Sequence, residues 1–471
     1  MAKIDHVVVL MLENRSFDSM LGRLYPDRAD FMGLRGGESN VVNGQTLSVW
    51  TSGGSPNPSF TIPDPDPGES FDDITAQIFG AGKVPPSSAT MAGFAANYAS
   101  VPNATARDIM HGYTPDQVPV LSALARSFGV CDEWFASAPN QTWPNRFFAH
   151  TGTAGGYVNN MPLHVPYEMD TIFNRLSAAD HSWQVYFHDM PQVATLSKIW
   201  EDLPAHLCSF EEHFFADAKA GQLPSYSFIE PRYFSDPLLG QMPNDQHPPH
   251  DVSYGEQLIG RCYNAIRNGA AWDRTLFIIT YDEHGGLYDH VPPPSAVPPD
   301  DLSPDGFKFD RYGVRVPAVL ISPWIPSGSI VRRPDGWKYP FDHTSILATV
   351  RKLFGLSEPL TRRDAAAPDL LHALSLNEPS NDGPTNLPIP DLGPSTDAIT
   401  AAHHQTANHM QTALAQFADQ IPTESANVIE GLSANGAARL VADAAEAGLT
   451  VGAALDRAKM GLARFLHGVS N

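Results

Sequence analysis

Three short runs of uninterrupted apolar residues predict buried strands: Val7 to Leu12, Thr275 to Thr280 and Ala318 to Ser322. Each run contains β-branched residues and is too short for a buried helix, which is the pattern of a strand covered on both faces. Two helical stretches, Val118 to Ser127 and Ser253 to Asn268, lie between them. This alternation predicts an α/β fold with a mostly parallel sheet sandwiched by helices.

Segments rich in glycine, serine and proline interrupt this pattern. Residues 32–70 and 292–304 predict long loop insertions, the first as a loop or a short antiparallel excursion. Residues 376–396 have the composition of a Pro-rich linker. The predicted organisation is a main domain at residues 1–375, this linker, and a small helical C-terminal appendage at residues 397–471. Helices are expected there at 398–421, 435–447 and 452–467.

Composition and charge narrow the class of protein. Charged residues make up 17% of the chain and the hydrophobic residues 42%, which indicates a globular protein. The formal net charge of -22 argues against nucleic acid as a partner and against tight binding to anionic membranes. A zwitterionic lipid surface remains compatible with this charge. The acidity fits either a carboxylate metal site or simple solubility.

The cysteines and the N-terminus give further expectations. Cys131, Cys208 and Cys262 are odd in number and show no CxxC spacing, so neither a disulfide framework nor a thiolate zinc site is expected. The apolar run that ends before Glu13 is too short for a secretory signal. No run reaches the roughly 18 apolar residues of a spanning helix. We therefore expect a cytoplasmic or otherwise soluble protein without a transmembrane segment; its oligomeric state is open.

Acidic and amide side chains follow two of the predicted strands. Glu13 and Asn14 follow the first, and Asp282 and Glu283 follow the second. In open α/β sheets, ligands bind beyond the carboxyl ends of the strands, and a divalent cation needs several converging oxygen atoms. These four residues are therefore the candidate metal ligands. Each pair alone could equally serve as a helix cap or a turn.

A candidate nucleophile lies in the segment SAPNQTWPNRFFAHTGT. Thr142 is followed closely by Asn145 and Arg146, two side chains that could hold phosphate oxygens. Hydroxyl nucleophiles activated by a metal are common in phosphoryl transfer. The alternatives are another hydroxyl of the segment, such as Ser137 or Thr151, or a loop threonine with no chemical role.

Several histidines could transfer protons or bind metal. His247 and His250 lie in NDQHPPHDVSYGEQL, and His343 lies at the start of a predicted helix in FDHTSILATV. Because the chain has 18 histidines, any one of them can also be an ordinary residue. The appendage contains three more, His403, His404 and His409, which we interpret as solvated surface.

Four longer motifs carry a family resemblance. ENRSFDSMLG, WPNRFF, YDEHGGLYDHVPPP and FDHTSILATVRKLFGL, in this order, resemble the non-specific phospholipase C and acid phosphatase family. That family belongs to the alkaline phosphatase-like superfamily. The shorter matches PDPDPGESF, CDEWFAS, NDQHPPHDVSYGE and YGVRVPAVLISPW agree with it. The resemblance runs from about residue 4 to about residue 373 and makes residues 1–375 a phosphoesterase catalytic domain.

The resemblance implies a role for each matching position. Thr142 matches the nucleophile, and the histidines that match a motif near the scissile phosphate are His247 and His250, with His343 a looser match. One divalent cation (Mg, Ca, Mn or Zn) would be held by Glu13, Asn14, Asp282 and Glu283. His111 lies upstream of the nucleophile, and its role is open.

The implied reaction is hydrolysis of a phospholipid to diacylglycerol and a phosphorylated head group, through a phosphothreonine intermediate. His250, His284 and PDPDPGESF favour this lipase-like branch. An acid phosphatase or small-molecule phosphodiesterase with the same site is the alternative. A non-catalytic binding protein on this scaffold would be expected to lack a metal residue or the nucleophile. Trp50, Phe60 and Phe79 could contact a zwitterionic surface, or could simply pack in the interior.

Overall fold

A mixed eight-stranded sheet forms the centre of the protein in the computed structural model, which describes residues 4–80, 88–421 and 448–467. The strands are β1 (His6–Leu12), β2 (Ser39–Val42), β3 (Gln45–Ser48), β4 (Gly129–Val130), β5 (Trp183–Phe187), β6 (Leu207–Ser209), β7 (Tyr226–Ile229), β8 (Thr275–Tyr281), β9 (Ala318–Ile321) and β10 (Ser329–Ile330). Eight of these strands form the main sheet, in the order β10-β4-β9-β8-β1-β7-β5-β6. Strands β2 and β3 form a separate two-stranded sheet.

Most neighbouring strands of this sheet are parallel, so the predicted mostly parallel α/β sheet is confirmed. Strands β6, β5, β7, β1 and β8 all run in one direction. Strand β9 is antiparallel to both β8 and β4. The apolar run at 318–321 therefore forms the predicted strand, but it points the opposite way from the other two predicted strands. An apolar run indicates that a strand is buried. It does not indicate the direction of the strand, because a parallel and an antiparallel strand bury the same side chains.

Strand β1 lies in the middle of the sheet between β7 and β8, with His6 opposite Thr275 and Leu12 opposite Tyr281. Its residues from Val7 to Leu12 are fully buried. Burying each such aliphatic side chain contributes roughly 1.5–3 kcal/mol, which fixes this strand at the core. The residues that follow it are therefore held at a defined edge of the sheet.

Helices pack around the sheet. They are α1 (Phe17–Met20), α2 (Phe71–Phe79), α3 (Phe94–Tyr98), α4 (Pro119–Ser127), α5 (Thr142–Thr151), α6 (Ile172–Ala178), α7 (Leu203–His206), α8 (Phe215–Ala220), α9 (Val252–Arg267), α10 (Thr344–Leu353), α11 (Arg362–Ala366), α12 (Thr396–His403), α13 (His409–Ala418) and α14 (Val451–His467). Single 3-10 turns occupy Asp108–Met110, Pro162–His164, Gln192–Thr195, Ser197–Ile199, Trp272–Arg274 and Leu371–Ala373, and a π-helical turn occupies Phe210–Phe214. None of the described helices is long and apolar enough to cross a membrane.

The first predicted insertion contains an antiparallel hairpin of β2 and β3. Asn43 and Gly44 join the two strands, and both have positive φ angles, 50° and 77°. Such angles match the type I′ turn that Asn-Gly sequences favour. Further along, Ser70 caps α2 in a capping box with Asp73. The capping box therefore fixes the end of the insertion at Ser70 and anchors the acidic loop that precedes it.

The predicted linker is docked rather than free. Asn264 of α9 exchanges two hydrogen bonds with the main chain of Leu387, and the hydroxyl of Tyr263 donates to the carbonyl of Pro384. The predicted helix at 398–421 is two helices, because Asn408 caps a new start at α13. The predicted helix at 435–447 lies outside the described residues.

Helices α13 and α14 join the main hydrophobic core through side chains such as Leu414, Phe417 and Phe465. Gly461 in α14 permits this packing, since a Cβ atom there would lie 2.2 Å from the carbonyl oxygen of Ala418. The division into a catalytic domain, a linker and an appendage stays a prediction. The described C-terminal helices share one core with the rest of the chain. The three cysteines are free.

Candidate active site

Three neighbouring parallel strands end in acidic residues at one edge of the sheet. Glu13 follows β1, Glu230 follows β7, and Asp282 and Glu283 follow β8. All four side chains are fully buried. The structure therefore brings together the two strand ends that the sequence singled out. It adds Glu230, which follows a strand of only four residues that the apolar pattern did not reveal.

Arg146 of α5 is the cation at the centre of this group. Its Nη2 and Nε atoms lie 2.5 and 2.9 Å from Oε1 of Glu13, and its Nη1 lies 3.3 Å from Oε2 of Glu230. Nη2 also donates to the carbonyl of Met11. Burial opposes the charge of Arg146, but the nearby acids, Glu13 foremost, outweigh burial and raise its pKa. All three nitrogens are thus engaged with the protein, which favours a counter-ion role over the predicted phosphate contact.

Thr142 is the first residue of α5 and is fully buried. Its Oγ1 lies 3.3 Å from Oε2 of Glu13, the oxygen that Arg146 leaves free. The amino end of a helix carries a partial positive charge, which stabilises negative charge on this hydroxyl. The side chain of Asn145 is engaged elsewhere, because its amide forms hydrogen bonds with the main chain of Ala138 and Asn140. Asn145 therefore fixes the loop that precedes Thr142.

Asn14 connects the two strand ends. Its main-chain N–H donates to Oδ1 of Asp282, and its Nδ2 lies 3.0 Å from Oε1 of Glu283 and 2.6 Å from Oε1 of Glu69. Gly285 passes directly above it, where a Cβ atom would lie 2.3 Å from the carbonyl oxygen of Asn14. This glycine, with φ of 62°, therefore permits a close approach between the two strand ends.

Buried oxygen atoms at this site lack hydrogen bonds. Oδ1 of Asn14 and Oδ2 of Asp282 have no hydrogen-bond partner among the described residues. Burial raises the pKa of Glu13 and of Glu283 well above the ordinary value. An excess of buried negative charge with unpaired oxygens is the environment that a hard divalent cation stabilises. The four predicted ligands therefore fit a metal ion.

Asp66 and Glu69 join the site from the loop before α2. Ligand atoms of Asp66, Glu69 and His247 lie within 4.8 Å of one another. Burial and the neighbouring carboxylates raise the pKa of both acids. The motif PDPDPGESF contributed to the family resemblance, but nothing in its spacing marked these two carboxylates as site residues. Only the folding of the insertion over the sheet edge brings them here.

His343 precedes α10 and contacts the main chain of Asp282. Its Nε2 lies 2.6 Å from the carbonyl oxygen of Asp282, and its Nδ1 accepts a hydrogen bond from Nε1 of Trp134 at 3.3 Å. These contacts fix a neutral ring, and burial lowers the pKa of His343 to about 4. The geometry favours a positioning role for His343, since both ring nitrogens are already bound.

His247 and His250 differ in their surroundings. Nδ1 of His250 lies 2.7 Å from Oδ1 of Asp245, and the ring borders an open cleft. His247 is buried, with Nδ1 2.6 Å from the carbonyl oxygen of Pro248. Burial lowers the pKa of His247 to about 4. Of the two, His250 is the one placed to exchange protons with a ligand in the cleft.

The remaining histidines have other surroundings. His111 packs between the rings of Trp50 and Tyr113 and bonds Ser52, so its position indicates packing. Nε2 of His284 contacts Gln77, and its Nδ1 faces Glu283. His403, interpreted from sequence as surface, is half-buried and contacts the carbonyl of Ser235. His404 and His409 are exposed, and His409 borders the cleft.

The cleft beside these residues has a volume of about 640 Å³. The acidic loop 64–70 forms one wall, and residues 405–411 of the C-terminal segment form the other. A second cavity of about 380 Å³ shares Gln141 and His409 with the cleft and contains the half-exposed Met161 and Leu163. Thus an apolar groove continues from the acidic cleft.

The three aromatic residues proposed to contact a lipid surface are partly buried. Trp50 and Phe79 pack against the cluster around α2 and α3, and Phe60 packs against the main core. Their positions support the packing alternative. Met161 and Leu163 are instead the apolar residues that border the candidate site, with 43% and 41% of their surface exposed.

The chain is similar to known phosphoesterases over most of its length. The Phosphoesterase family model matches residues 4–357. Non-specific phospholipase C6 of Arabidopsis thaliana is 39% identical over 402 residues, which is 82% of this chain and 75% of that protein. Non-specific phospholipase C1 of Arabidopsis thaliana is 39% identical over 432 residues, 89% of this chain and 79% of that protein.

At lower identity, the chain is also similar to a bacterial phospholipase C and to a solved structure. Non-hemolytic phospholipase C of Pseudomonas aeruginosa is 28% identical over 461 residues, 85% of this chain and 60% of that protein. A solved protein of the alkaline phosphatase superfamily from Vibrio parahaemolyticus superposes with a TM-score of 0.34 and 12% identity, over 55% of this chain and 64% of that one. The family model and the 39% identical relatives together decide the family: the chain belongs to the phosphoesterase family.

Proposed function

We propose that this chain is a metal-dependent phosphoesterase that hydrolyses phospholipids in phospholipase C fashion, releasing diacylglycerol and a phosphorylated head group. One observation carries the proposal: the Thr142 hydroxyl lies at a helix amino end, 3.3 Å from Glu13, in a site where Asn14 and Asp282 each have a buried oxygen without a hydrogen bond. That arrangement suits a hydroxyl nucleophile next to a cation. Membership of the phosphoesterase family and the names of the curated relatives support it.

One divalent cation would be held by Glu13, Asn14, Asp282 and Glu283. When bound, it supplies positive charge that favours the Thr142 alkoxide and offsets charge on the phosphoryl oxygens. Side chains of the protein hold the ligand residues in position. Arg146 holds Glu13, and His343 holds the main chain of Asp282.

The Thr142 oxygen attacks phosphorus in line with the leaving alcohol. Glu13 Oε2 accepts the hydrogen bond of the Thr142 hydroxyl, receives its proton as the oxygen attacks, and returns the proton when the phosphothreonine is hydrolysed. The bond between phosphorus and the glycerol oxygen breaks, and a phosphothreonine forms. Water then attacks phosphorus and releases the phosphorylated head group, which restores the threonine.

His250 is the proposed proton donor to the leaving alcohol and the base that later accepts a proton from water. Asp245 orients its ring through Nδ1, which leaves Nε2 for the substrate. His247 is a weaker candidate because the pKa of its buried ring is lowered to about 4, so the ring is neutral near pH 7. The same reaction could occur on a soluble ester.

A lipid substrate is favoured over a small phosphomonoester by the apolar groove. Met161 and Leu163 border the cavity next to Gln141, the residue that precedes the nucleophile. An acyl chain lying there would remove apolar surface from water. The acid phosphatase alternative has the same catalytic residues but no use for this groove.

Product analysis tests the function. The protein is offered short-chain phosphatidylcholine and a chromogenic phosphomonoester at equal concentration, from acid to mildly alkaline pH, with and without a chelator. We expect diacylglycerol and phosphocholine from the lipid, and loss of both with the chelator. Free phosphate from the monoester without diacylglycerol would assign an acid phosphatase, and turnover of neither would indicate a binding protein.

A further inference from the structure

A second group of potential ligands lies beside the four predicted metal residues. It consists of Asp66, Glu69 and His247, whose ligand atoms lie within 4.8 Å of one another. Glu69 and His247 are buried, and Asp66 and Glu69 border the open cleft. The group is therefore enclosed by protein yet reachable from solvent.

The ring of His247 has a fixed orientation. Its Nδ1 lies 2.6 Å from the carbonyl oxygen of Pro248, and a carbonyl only accepts hydrogen bonds, so Nδ1 carries the hydrogen. Nε2 therefore presents a lone pair. It has no hydrogen-bond partner within the described residues, and the side chain is 1% exposed. A buried lone pair without a partner is costly unless something binds it.

Nε2 of His247 faces another acceptor, since it lies 3.5 Å from Oε1 of Glu69. Two electron-rich atoms at this distance repel each other unless a positive charge lies between them. A cation bound to both atoms removes the repulsion and satisfies the lone pair.

The net charge of the carboxylates also favours a second bound cation. Arg146 offsets the charge of Glu13. The remaining carboxylates Asp66, Glu69, Asp282 and Glu283 carry four negative charges when ionised, and one divalent cation offsets two of them. Arg15 lies nearby, but its hydrogen bonds go to the main-chain carbonyls of Ile62, Gln246 and His250. Two divalent cations would balance the four carboxylates.

We propose that Asp66, Glu69 and His247 bind a second divalent cation, adjacent to the cation proposed at Glu13, Asn14, Asp282 and Glu283. The Asn14 amide lies 2.6 Å from Glu69 and 3.0 Å from Glu283, so the two ligand sets are direct neighbours. Two carboxylates and one imidazole suit Zn²⁺ or Mn²⁺ better than Ca²⁺. The proposal rests on the proposed function only in placing a first cation at the strand ends.

A cation here would lie on the cleft side of the first one. It would place a second positive charge where phosphoryl oxygens of a substrate enter, which is how paired metals stabilise in-line displacement. His247 would then act as a ligand, and His250 alone would transfer the proton. Glu69, in contact with Asn14, would hold the two sites at a fixed separation.

The test is metal stoichiometry, which needs no substrate. Full-length protein is stripped with a chelator, dialysed against Mn²⁺, and measured by elemental analysis and by the electron paramagnetic resonance of bound Mn²⁺. We expect two ions per chain and a spin-coupled pair signal in the unaltered protein. Glu69→Gln and His247→Gln should each bind one ion and give an uncoupled signal, with circular dichroism unchanged.

Matched controls are Glu378→Gln and His404→Gln, which change exposed residues of the same types and should keep two ions. Asp66→Asn serves as a third variant at a less buried position if either of the others fails to fold. One ion in the unaltered protein at saturating Mn²⁺, or two ions in a folded Glu69→Gln or His247→Gln variant, would overturn the proposal. A protein that binds two ions but does not hydrolyse phosphate esters would contradict the proposed function and leave the second cation site supported.

Discussion

The guanidinium of Arg146 binds a single oxygen of Glu13 with two nitrogens, at 2.5 and 2.9 Å, and leaves the other oxygen 3.3 Å from the Thr142 hydroxyl. The same carboxylate thus connects a buried cation to the candidate nucleophile. Position 146 was expected from sequence to contact the phosphate. That contact stays a prediction; in the structure Arg146 binds one oxygen of Glu13, and the other oxygen lies toward Thr142.

Replacing Arg146 should destabilise the protein. Arg146→Met would leave Glu13 and Glu230 buried without a counter-ion, and breaking such a pair costs about 3–5 kcal/mol of unfolding free energy. Arg146→Lys keeps the charge but loses the forked geometry, so an intermediate loss is expected. Urea unfolding of the metal-free proteins at pH 7 measures both. Equal stability of Arg146→Met and the unaltered protein would contradict the counter-ion role.

Thr142→Ala should lose turnover by several orders of magnitude while keeping its fold and its metal. Thr142→Ser should retain a measurable part of the activity, because a serine hydroxyl can occupy the same position. Steady-state hydrolysis of a soluble phosphodiester measures this, with circular dichroism as the fold control. Near-normal activity of the alanine variant would exclude Thr142 as the nucleophile.

Asp282→Asn should weaken cation binding, since it removes a carboxylate charge that a hard cation prefers. Asp273→Asn is the matched control, because Asp273 is exposed and lies before the other end of the same strand β8. Metal content after dialysis should fall in the first variant and stay unchanged in the second. Full occupancy in Asp282→Asn would remove this residue from the ligand set.

The buried carboxyls should make the metal-free protein more stable as the pH falls through the neutral range, down to about 6.5, the ordinary pKa of histidine. Burial raises the pKa of Glu13, Glu69 and Glu283 in the folded state, so the folded protein takes up protons in this range before the unfolded chain does. Below about pH 6.5 buried histidines oppose this gain, because the pKa of His247 and of His343 is lowered to about 4 in the folded state and the unfolded chain takes up their protons first. Unfolding free energies measured from about pH 8 down to about 6.5 test the sign.

A saturating cation should reverse that trend, because metal and protons compete for the same carboxylates. Calorimetric titration with Mn²⁺ in two buffers of different ionisation enthalpy should show proton release on binding. A metal-free protein whose stability falls as the pH is lowered from about 8 to about 6.5, the range above the ordinary pKa of histidine, would contradict the raised pKa values of these carboxyls.

The double variant Met161→Ser, Leu163→Ser should raise KM for long-chain phosphatidylcholine by about tenfold, as expected for losing part of two apolar contacts. Hydrolysis of a soluble chromogenic phosphodiester should be unaffected, since such a substrate has no acyl chain to occupy the groove and neither residue is a proposed catalytic group or metal ligand. Leu302→Ser, an exposed leucine bordering a different cavity, is the control. An equal effect on both substrates would exclude an acyl-chain groove.

Short-range patterns in the sequence predicted the central strands and the acids that follow them. Glu13 and Asp282 were identifiable because each directly follows a long apolar run, and a strand end defines where the next side chain lies. The reversed direction of β9 was not identifiable, since its apolar residues would be buried in either direction.

The missed site residues depend on contacts between distant parts of the chain. Glu230 follows a strand of four residues, and its partner Arg146 lies 84 positions earlier. Glu69 reaches Asn14 only because a loop folds back over 55 positions. Composition predicted the helical C-terminal segment but not its docking, where Phe417 packs on Trp143, beside the nucleophile, with ring centroids 6.1 Å apart.

Strand β1 has a consequence for synthesis of the chain. It is made first, but its partner β8 begins 269 residues later, so at about 5–20 residues per second it waits roughly 13–54 seconds for that partner. Its other partner, β7, begins at Tyr226, so for most of this interval both edges of the apolar segment Val7 to Leu12 are unpaired, and until β8 emerges one edge still is. We expect nascent chains to depend on chaperones until residue 281 has emerged, and fragments that end before β8 to aggregate.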